Sequence, residues 1–150
     1  MYIVSACLLG VNCRYDGQNN YNKKLYELFK KSLLFPVCPE VLGGMTIPRT
    51  PCEIKVVNNE SYVFDIEGND KTKEFKLGAN KVLDIAKLLN IDGAIFMDRS
   101  PSCGVNKIYD GNFNHNLIDG IGITTKILKD NGYDVYTIKE LSKLSFNNKY

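Results

Sequence analysis

Five cysteines stand at positions 7, 13, 38, 52 and 103 of this 150-residue chain. Three of them share a local context. Cys7 follows the apolar run Tyr2-Ile3-Val4-Ser5-Ala6, Cys38 follows Leu33-Leu34-Phe35-Pro36-Val37, and Cys103 lies in the turn entered from Ala94-Ile95-Phe96-Met97. In open α/β sheets the crevice at the carboxyl ends of the strands is where ligands bind. Three thiols distant in sequence therefore converge on one sheet edge. Thiolates are soft donors that select zinc, copper(I) or iron–sulfur clusters. Each loses a proton on binding, so gathering them without a metal is costly at neutral pH. The spacing lacks the paired C-x-x-C of zinc ribbons and the compact ferredoxin run. Long gaps suit a cluster whose ligands come from separate loops. They also suit three small buried residues, because cysteine is among the most buried residue types. Cys13 shares a loop with Cys7 and stands as a fourth ligand, a redox partner of Cys7, or a thiol behind the ligands. Cys52, after Pro51, reads as structural.

The polar residues of the same turns add acid–base chemistry. Glu40 follows Cys38-Pro39 and is either a solvated acid or helix cap or, if desolvated, a general base. Ser100 and Ser102 flank Pro101 just before Cys103, where their hydroxyls brace the turn. Arg14, Arg49 and Arg99 fall in or near these loops, where guanidinium groups pair with Asp16, Asp98 or Glu40 or hold a planar ligand. His115, the single histidine, sits in the polar run Asn112 to Asn116 and reads as an exposed loop residue. No glycine pattern forms a dinucleotide fingerprint or a phosphate loop.

The elements that must position these residues alternate between strand and helix. After the first strand, Asn22 caps a short helix from Lys23 to about Lys31, with Leu25, Leu28 and Phe29 on one face. The second strand runs into Cys38–Gly44 and Ile47–Pro51, both expected to be irregular because Pro and Gly punctuate them. Ile54 to Val57 and Tyr62 to Ile66, joined by Asn58-Asn59-Glu60-Ser61, predict a hairpin. Phe75, Ala79, Val82, Leu83, Ala86 and Leu89 predict an amphipathic helix from about Thr72 to Asn90. A strand over Ala94–Met97, a helix from about Gly122 to Asp130 ending at Asn131-Gly132, and a strand over Val135–Ile138 complete the core. The polar tail from Lys139 onward holds a short helix or frays. This alternation implies βαβ crossovers and a mostly parallel sheet flanked by helices, with the hairpin as an insertion, in one α/β domain over residues 1–150.

Composition bounds the function. The hydrophobic fraction is 44% and the net charge +2, ordinary for a globular protein and too weakly basic to point to nucleic acid or a membrane surface. No apolar run is long enough to span a bilayer. Val4-Ser5-Ala6-Cys7 mimics a lipoprotein cleavage box but has no room for a leader before it. The expected setting is the cytoplasm, where cysteines serve as ligands or thiols rather than disulfides.

Three motifs carry a family resemblance. They are Ser5-Ala6-Cys7-Leu8-Leu9-Gly10 with Cys13-Arg14-Tyr15-Asp16-Gly17; Cys38-Pro39-Glu40 with Gly43-Gly44 and Pro48-Arg49; and Ser100-Pro101-Ser102-Cys103-Gly104 with Ile108-Tyr109-Asp110-Gly111. Together they resemble the thiouracil desulfurases, a family of small bacterial proteins that carry a domain of unknown function. The resemblance runs from residue 3 to about 138. It implies a Rossmann-like fold and a 4Fe–4S cluster held by three cysteines, here Cys7, Cys38 and Cys103, with one open iron. Cys13, Arg14, Asp16 and Arg49 would stand behind the ligands or on the substrate, a small thiolated base. The implied reaction is non-redox desulfuration of 2-thiouracil to uracil and hydrosulfide. Glu40 would activate water, and Ser100 or Ser102 would relay a proton. The competing expectations are an electron-transfer or redox-sensing protein in which Cys13 closes the coordination shell, and a sulfur- or metal-handling module that binds without catalysis. Neither nucleic acid nor membrane is an expected partner, and the chain is expected to be a monomer or homodimer.

Overall fold

The computed structural model describes residues 1–146. The first strand, β1 (Tyr2–Ser5), turns at once into a 3-10 segment over Ala6–Leu9. Helix α1 (Lys23–Lys30) starts where the Asn22 side chain accepts the Leu25 N–H at 3.1 Å, and β2 (Leu34–Val37) follows. A four-residue helix, α2 (Pro39–Leu42), then leads to the hairpin β3 (Cys52–Val57) and β4 (Glu60–Asp65). The long helix α3 (Thr72–Leu89) ends at Asn90, which takes a left-handed φ of 48°. Strand β5 (Gly93–Ile95), a second hairpin of β6 (Lys107–Tyr109) and β7 (Leu117–Asp119), helix α4 (Ile123–Asp130), strand β8 (Val135–Tyr136) and a closing 3-10 turn (Ile138–Lys143) complete the described chain.

The central sheet has the order β2-β1-β5-β8, and every pairing is parallel. The α/β architecture expected from the alternation of elements is thus observed, hairpin insertion included. The sheet is buried on both sides, as a parallel sheet must be when helices cover it. On one face Ile3, Ala94 and Val135 pack with Val82, Leu83 and Ala86 of α3 and Leu128 of α4. On the other, Tyr2, Val4 and Ile95 pack with Leu25 of α1. From β1 the chain moves outward to β2 on one side and later to β5 on the other. The strand order therefore reverses between β1 and β5, which makes that crevice the switch point where such sheets bind ligands.

Two expectations need correction, and one element was not expected. Cys38–Gly44 is not wholly irregular: Pro39 occupies the first helical position, where its missing N–H costs nothing, and α2 runs to Leu42 before Gly43. The strand expected over Val135–Ile138 stops at Tyr136, because Thr137 and Glu140 form a reciprocal capping box for the 3-10 turn. The β6–β7 hairpin was not foreseen. The tail holds its short helix through Lys143, and residues 147–150 lie outside the described residues.

Two packing features fix the loops at the sheet edge. Helices α2 and α3 cross backbone to backbone at a glycine pair: a Cβ on Gly78 would overlap the Pro39 carbonyl oxygen, and one on Gly43 the Glu74 carbonyl oxygen. The first turn of α4 is closed by the loop that carries Cys103. Gly122, Ile123 and Thr124 donate their N–H groups to the carbonyls of Gly104, Pro101 and Ser102 at 2.8–2.9 Å. Helix-end donors that need partners and a loop that needs fixing thus satisfy each other.

Candidate active site

At the carboxyl ends of β1, β2 and β5 lies a cavity of about 450 Å³, and Cys7, Cys13, Cys38, Cys52 and Cys103 all line it. All five cysteines are unpaired. The convergence expected from the strand ends is therefore found, and it includes Cys52, which sequence reasoning set aside as structural. Cys7 sits in the 3-10 segment after β1, where the Asn20 amide donates to its sulfur at 3.7 Å. Cys38 is the N-cap of α2, held there by the α2–α3 crossing. Cys103 is placed by the α4 start, and the Thr125 hydroxyl donates to its carbonyl at 3.0 Å.

The thiols are not equivalent. Hydrogen bonding with Cys38 and Cys7, together with burial, pushes the titration of Cys13 far up, and the Cys38 thiol lies 3.8 Å from the Cys13 carbonyl. The same hydrogen bonding lowers its two neighbours. Cys7 falls below the ordinary thiol value, helped by Asn20 and Arg14 against the opposing effect of burial. Cys38 falls to about 7, first through Cys13 and then through the Val41 backbone and Arg49, again against burial. Burial raises Cys103, partly offset by Ser5 and Ser102. Burial also pushes Cys52 up to about 12, and its thiol donates to the Thr50 carbonyl at 3.5 Å.

A second cluster stands beside the thiols. Arg49 Nε donates to Glu40 Oε2 at 2.7 Å, and the two side chains are only 6% and 13% exposed. Arg49 Nη2 also donates to the Cys13 carbonyl at 2.9 Å and so ties the carboxylate to the cysteine loop. Ser102 Oγ donates to Glu40 Oε1 at 2.9 Å. Ser100 Oγ accepts the backbone N–H groups of Ser102 and Cys103 at 3.1 Å each and lies 2.9 Å from Ser102 Oγ. A hydroxyl has one hydrogen and two lone pairs. With both lone pairs of Ser100 engaged and the Ser102 hydrogen given to Glu40, the chain runs in one direction: Ser100 O–H to Ser102 O–H to Glu40.

Of the residues singled out from sequence, Cys7, Cys13, Arg14, Cys38, Glu40, Arg49, Ser100, Ser102 and Cys103 line the cavity. Asp16 is not among the lining residues. It pairs with Arg14 Nη2 at 3.0 Å, while Arg14 Nη1 donates to Asn20 at 2.7 Å. Sequence reasoning missed Ser5, Asn20, Glu53, Tyr109 and Phe113 as lining residues. It placed His115 correctly as exposed but did not see that it faces this cavity. Glu53 had a legible signal, a carboxylate within an otherwise apolar-rich hairpin strand.

The donor set fits a soft-metal group, with thiols gathered from three separate loops and two of them acidified. Among the described residues, no three Cys, His, Asp or Glu side chains stand together as they would around one ion. A cluster asks for a different arrangement, because each thiolate binds a different iron and the sulfurs stand farther apart than around a single centre.

A family model described as 2-thiouracil desulfurase matches residues 2–140. The chain belongs to this family. An uncharacterised protein of Bacillus subtilis (strain 168), YbbK, is 37% identical over 150 residues, covering 96% of this chain and 99% of that protein. A solved structure described as the 4Fe–4S-dependent thiouracil desulfidase TudS superposes with a TM-score of 0.88 at 37% identity, covering 95% of this chain and 93% of that one. The 2-thiouracil desulfurase family thus extends to this chain in fold as well as in sequence. Among the described residues, no helix is long and apolar enough to cross a membrane.

Proposed function

We propose that this chain, acting as one α/β unit in the cytoplasm, hydrolyses the thiocarbonyl of a small thiolated base such as 2-thiouracil. It does so with a 4Fe–4S cluster held by Cys7, Cys38 and Cys103. The observation that carries the reading is the shared cavity: the cysteine thiols and the Glu40–Ser102–Ser100 chain open onto the same space at the sheet's switch point. When bound, such a cluster supplies Lewis acidity toward the substrate sulfur, provided that one iron lacks a protein ligand.

The chain's own groups do the rest. Glu40 takes a proton from the attacking water. Arg49 holds Oε2 and leaves Oε1 on the serine side, so the carboxylate cannot rotate away. Ser102 and Ser100 point their hydrogens toward Glu40 and hold its carboxylate in place, and the proton that Glu40 takes passes from it to the ring or the departing sulfur. The water oxygen replaces sulfur on the ring carbon, the C–S bond breaks, and sulfur leaves as hydrosulfide with no change of oxidation state. Cys13 keeps its proton and stands behind the ligands, lowering Cys7 and Cys38 so that they bind as thiolates.

The test is anaerobic purification with iron and sulfide analysis, followed by incubation with 2-thiouracil. Uracil and hydrosulfide in equal amounts are expected. A fully loaded protein that releases neither would refute the reading.

A further inference from the structure

The loop between β6 and β7 contributes two rings to the cavity, Phe113 and His115, and β6 ends in a third, Tyr109. Both loop residues sit in the left-handed backbone region, at φ 55° and 61°, where side chains other than glycine are strained. The surrounding sequence is polar: Asp110, Asn112, Asn114 and Asn116.

The strain is maintained by several ties. Asp110 accepts the Asn112 N–H at 2.9 Å and the Asn116 amide at 3.0 Å. Glu53, a buried carboxylate of β3 that the proposed reaction does not use, accepts the Gly111 and Phe113 N–H groups at 3.0 and 3.2 Å. Gly111, at φ 88°, lies so close to β3 that a Cβ there would crowd the Ile54 carbonyl. Tyr109 and His115 meet edge to face, with centroids 6.4 Å apart and planes at 82°. The result is a rigid aromatic wall in the cavity that holds the thiols.

We propose that this wall is the ring-binding platform of the site: Phe113, with Tyr109 and His115, takes the flat face of the thiolated heterocycle, and Glu53 is the positioning residue that holds the loop in place. The proposal rests on the desulfurase reading and deepens it. It makes a conjugated ring, not the thiocarbonyl alone, the recognised feature of the substrate.

Phe113→Leu keeps the bulk and removes the π-face; Phe113→Tyr keeps both. Stacking of a base on an aromatic side chain predicts a KM for 2-thiouracil raised about fivefold or more in Phe113→Leu. Its kcat should stay within about twofold, because the contact is the same in ground and transition states. Phe113→Tyr, which keeps the ring, should raise KM less than Phe113→Leu does, and iron content should be equal in all three. Glu53→Ala should raise KM likewise, while Glu53→Gln, whose amide oxygen still accepts both N–H groups, restores it. A wild-type KM in Phe113→Leu, equal losses in the Leu and Tyr variants, or a Glu53→Ala variant with unaltered KM would overturn the proposal. Should the wild type release no hydrosulfide, the desulfurase reading fails by itself. The platform is then judged by calorimetric binding of 2-thiouracil and uracil, where the same ranking of variants supports it and equal affinities refute it.

Discussion

At the scale of single residues, the decisive group is Glu40. Its carboxylate is held at both oxygens by partners that are themselves fixed, Arg49 at 2.7 Å and Ser102 at 2.9 Å. Glu40→Gln keeps the shape and removes the base, so iron content is expected to stay at wild-type level while turnover falls about 100-fold or more, the usual contribution of general acid–base catalysis. Loss of iron alongside activity would mean that the residue supports the fold instead. Arg49→Ala should be structurally harsher. It strands a nearly buried carboxylate and frees the Cys13 carbonyl, and breaking such a pair by removing one partner costs about 3–5 kcal/mol. Urea midpoints of the two variants compare them directly: the larger fall belongs to Arg49→Ala.

At the scale of elements, two devices place the chemistry. The glycine crossing of α2 on α3 sets Cys38 and Glu40. Gly78→Ala forces a Cβ onto the Pro39 carbonyl, so α2 must lift. Reduced iron loading and an overpacking cost of about 1–3 kcal/mol are expected, measurable by iron assay and denaturant titration. The second device is Asp98, whose Oδ1 accepts the N–H groups of Arg99, Val105, Asn106 and Lys107 at 2.8–3.2 Å and shapes the loop leading to β6. Burial alone would raise this carboxylate; the four backbone donors outweigh it, and the net shift is downward. A carboxyl group lowered by folding stabilises the protein above its unfolded titration range and loses that contribution as pH falls through its folded one. Acid unfolding of Asp98→Asn should therefore converge with the wild type at low pH, with the gap opening as pH rises. A constant gap would remove the carboxylate from the account.

These elements were unequally legible in the sequence. The three strand-to-cysteine junctions could be read because buried parallel strands leave short apolar runs, and Leu25, Val82 and Phe75 fall at helical spacing on faces the structure buries. Helix α2 was hidden because Pro39 reads as a breaker unless its place in the first turn is known. The β6–β7 hairpin was hidden because its strands are three residues each and their connection is long and polar. The aromatic wall was lost with it. Glu53 reaches Gly111 and Phe113 across about 60 positions of sequence, a contact that local periodicity does not encode.

At the scale of the whole molecule, three thiol loops meet above the β1–β5 crevice because the sheet is parallel and reverses its order there. The cluster reading adds a thermodynamic link: a group that binds only the folded chain raises its stability. Anaerobically loaded protein is expected to melt above the same protein stripped of iron, and equal melting temperatures would argue against a folded-state site. The most direct test is iron and acid-labile sulfide per chain in five single Cys→Ser variants at positions 7, 13, 38, 52 and 103, prepared without oxygen. The changes at 7, 38 and 103 are expected to abolish the cluster, while those at 13 and 52 leave about four irons in place. Loss at position 13 equal to that at 7, 38 and 103 would contradict it, since a fourth cysteine ligand leaves no iron open to substrate.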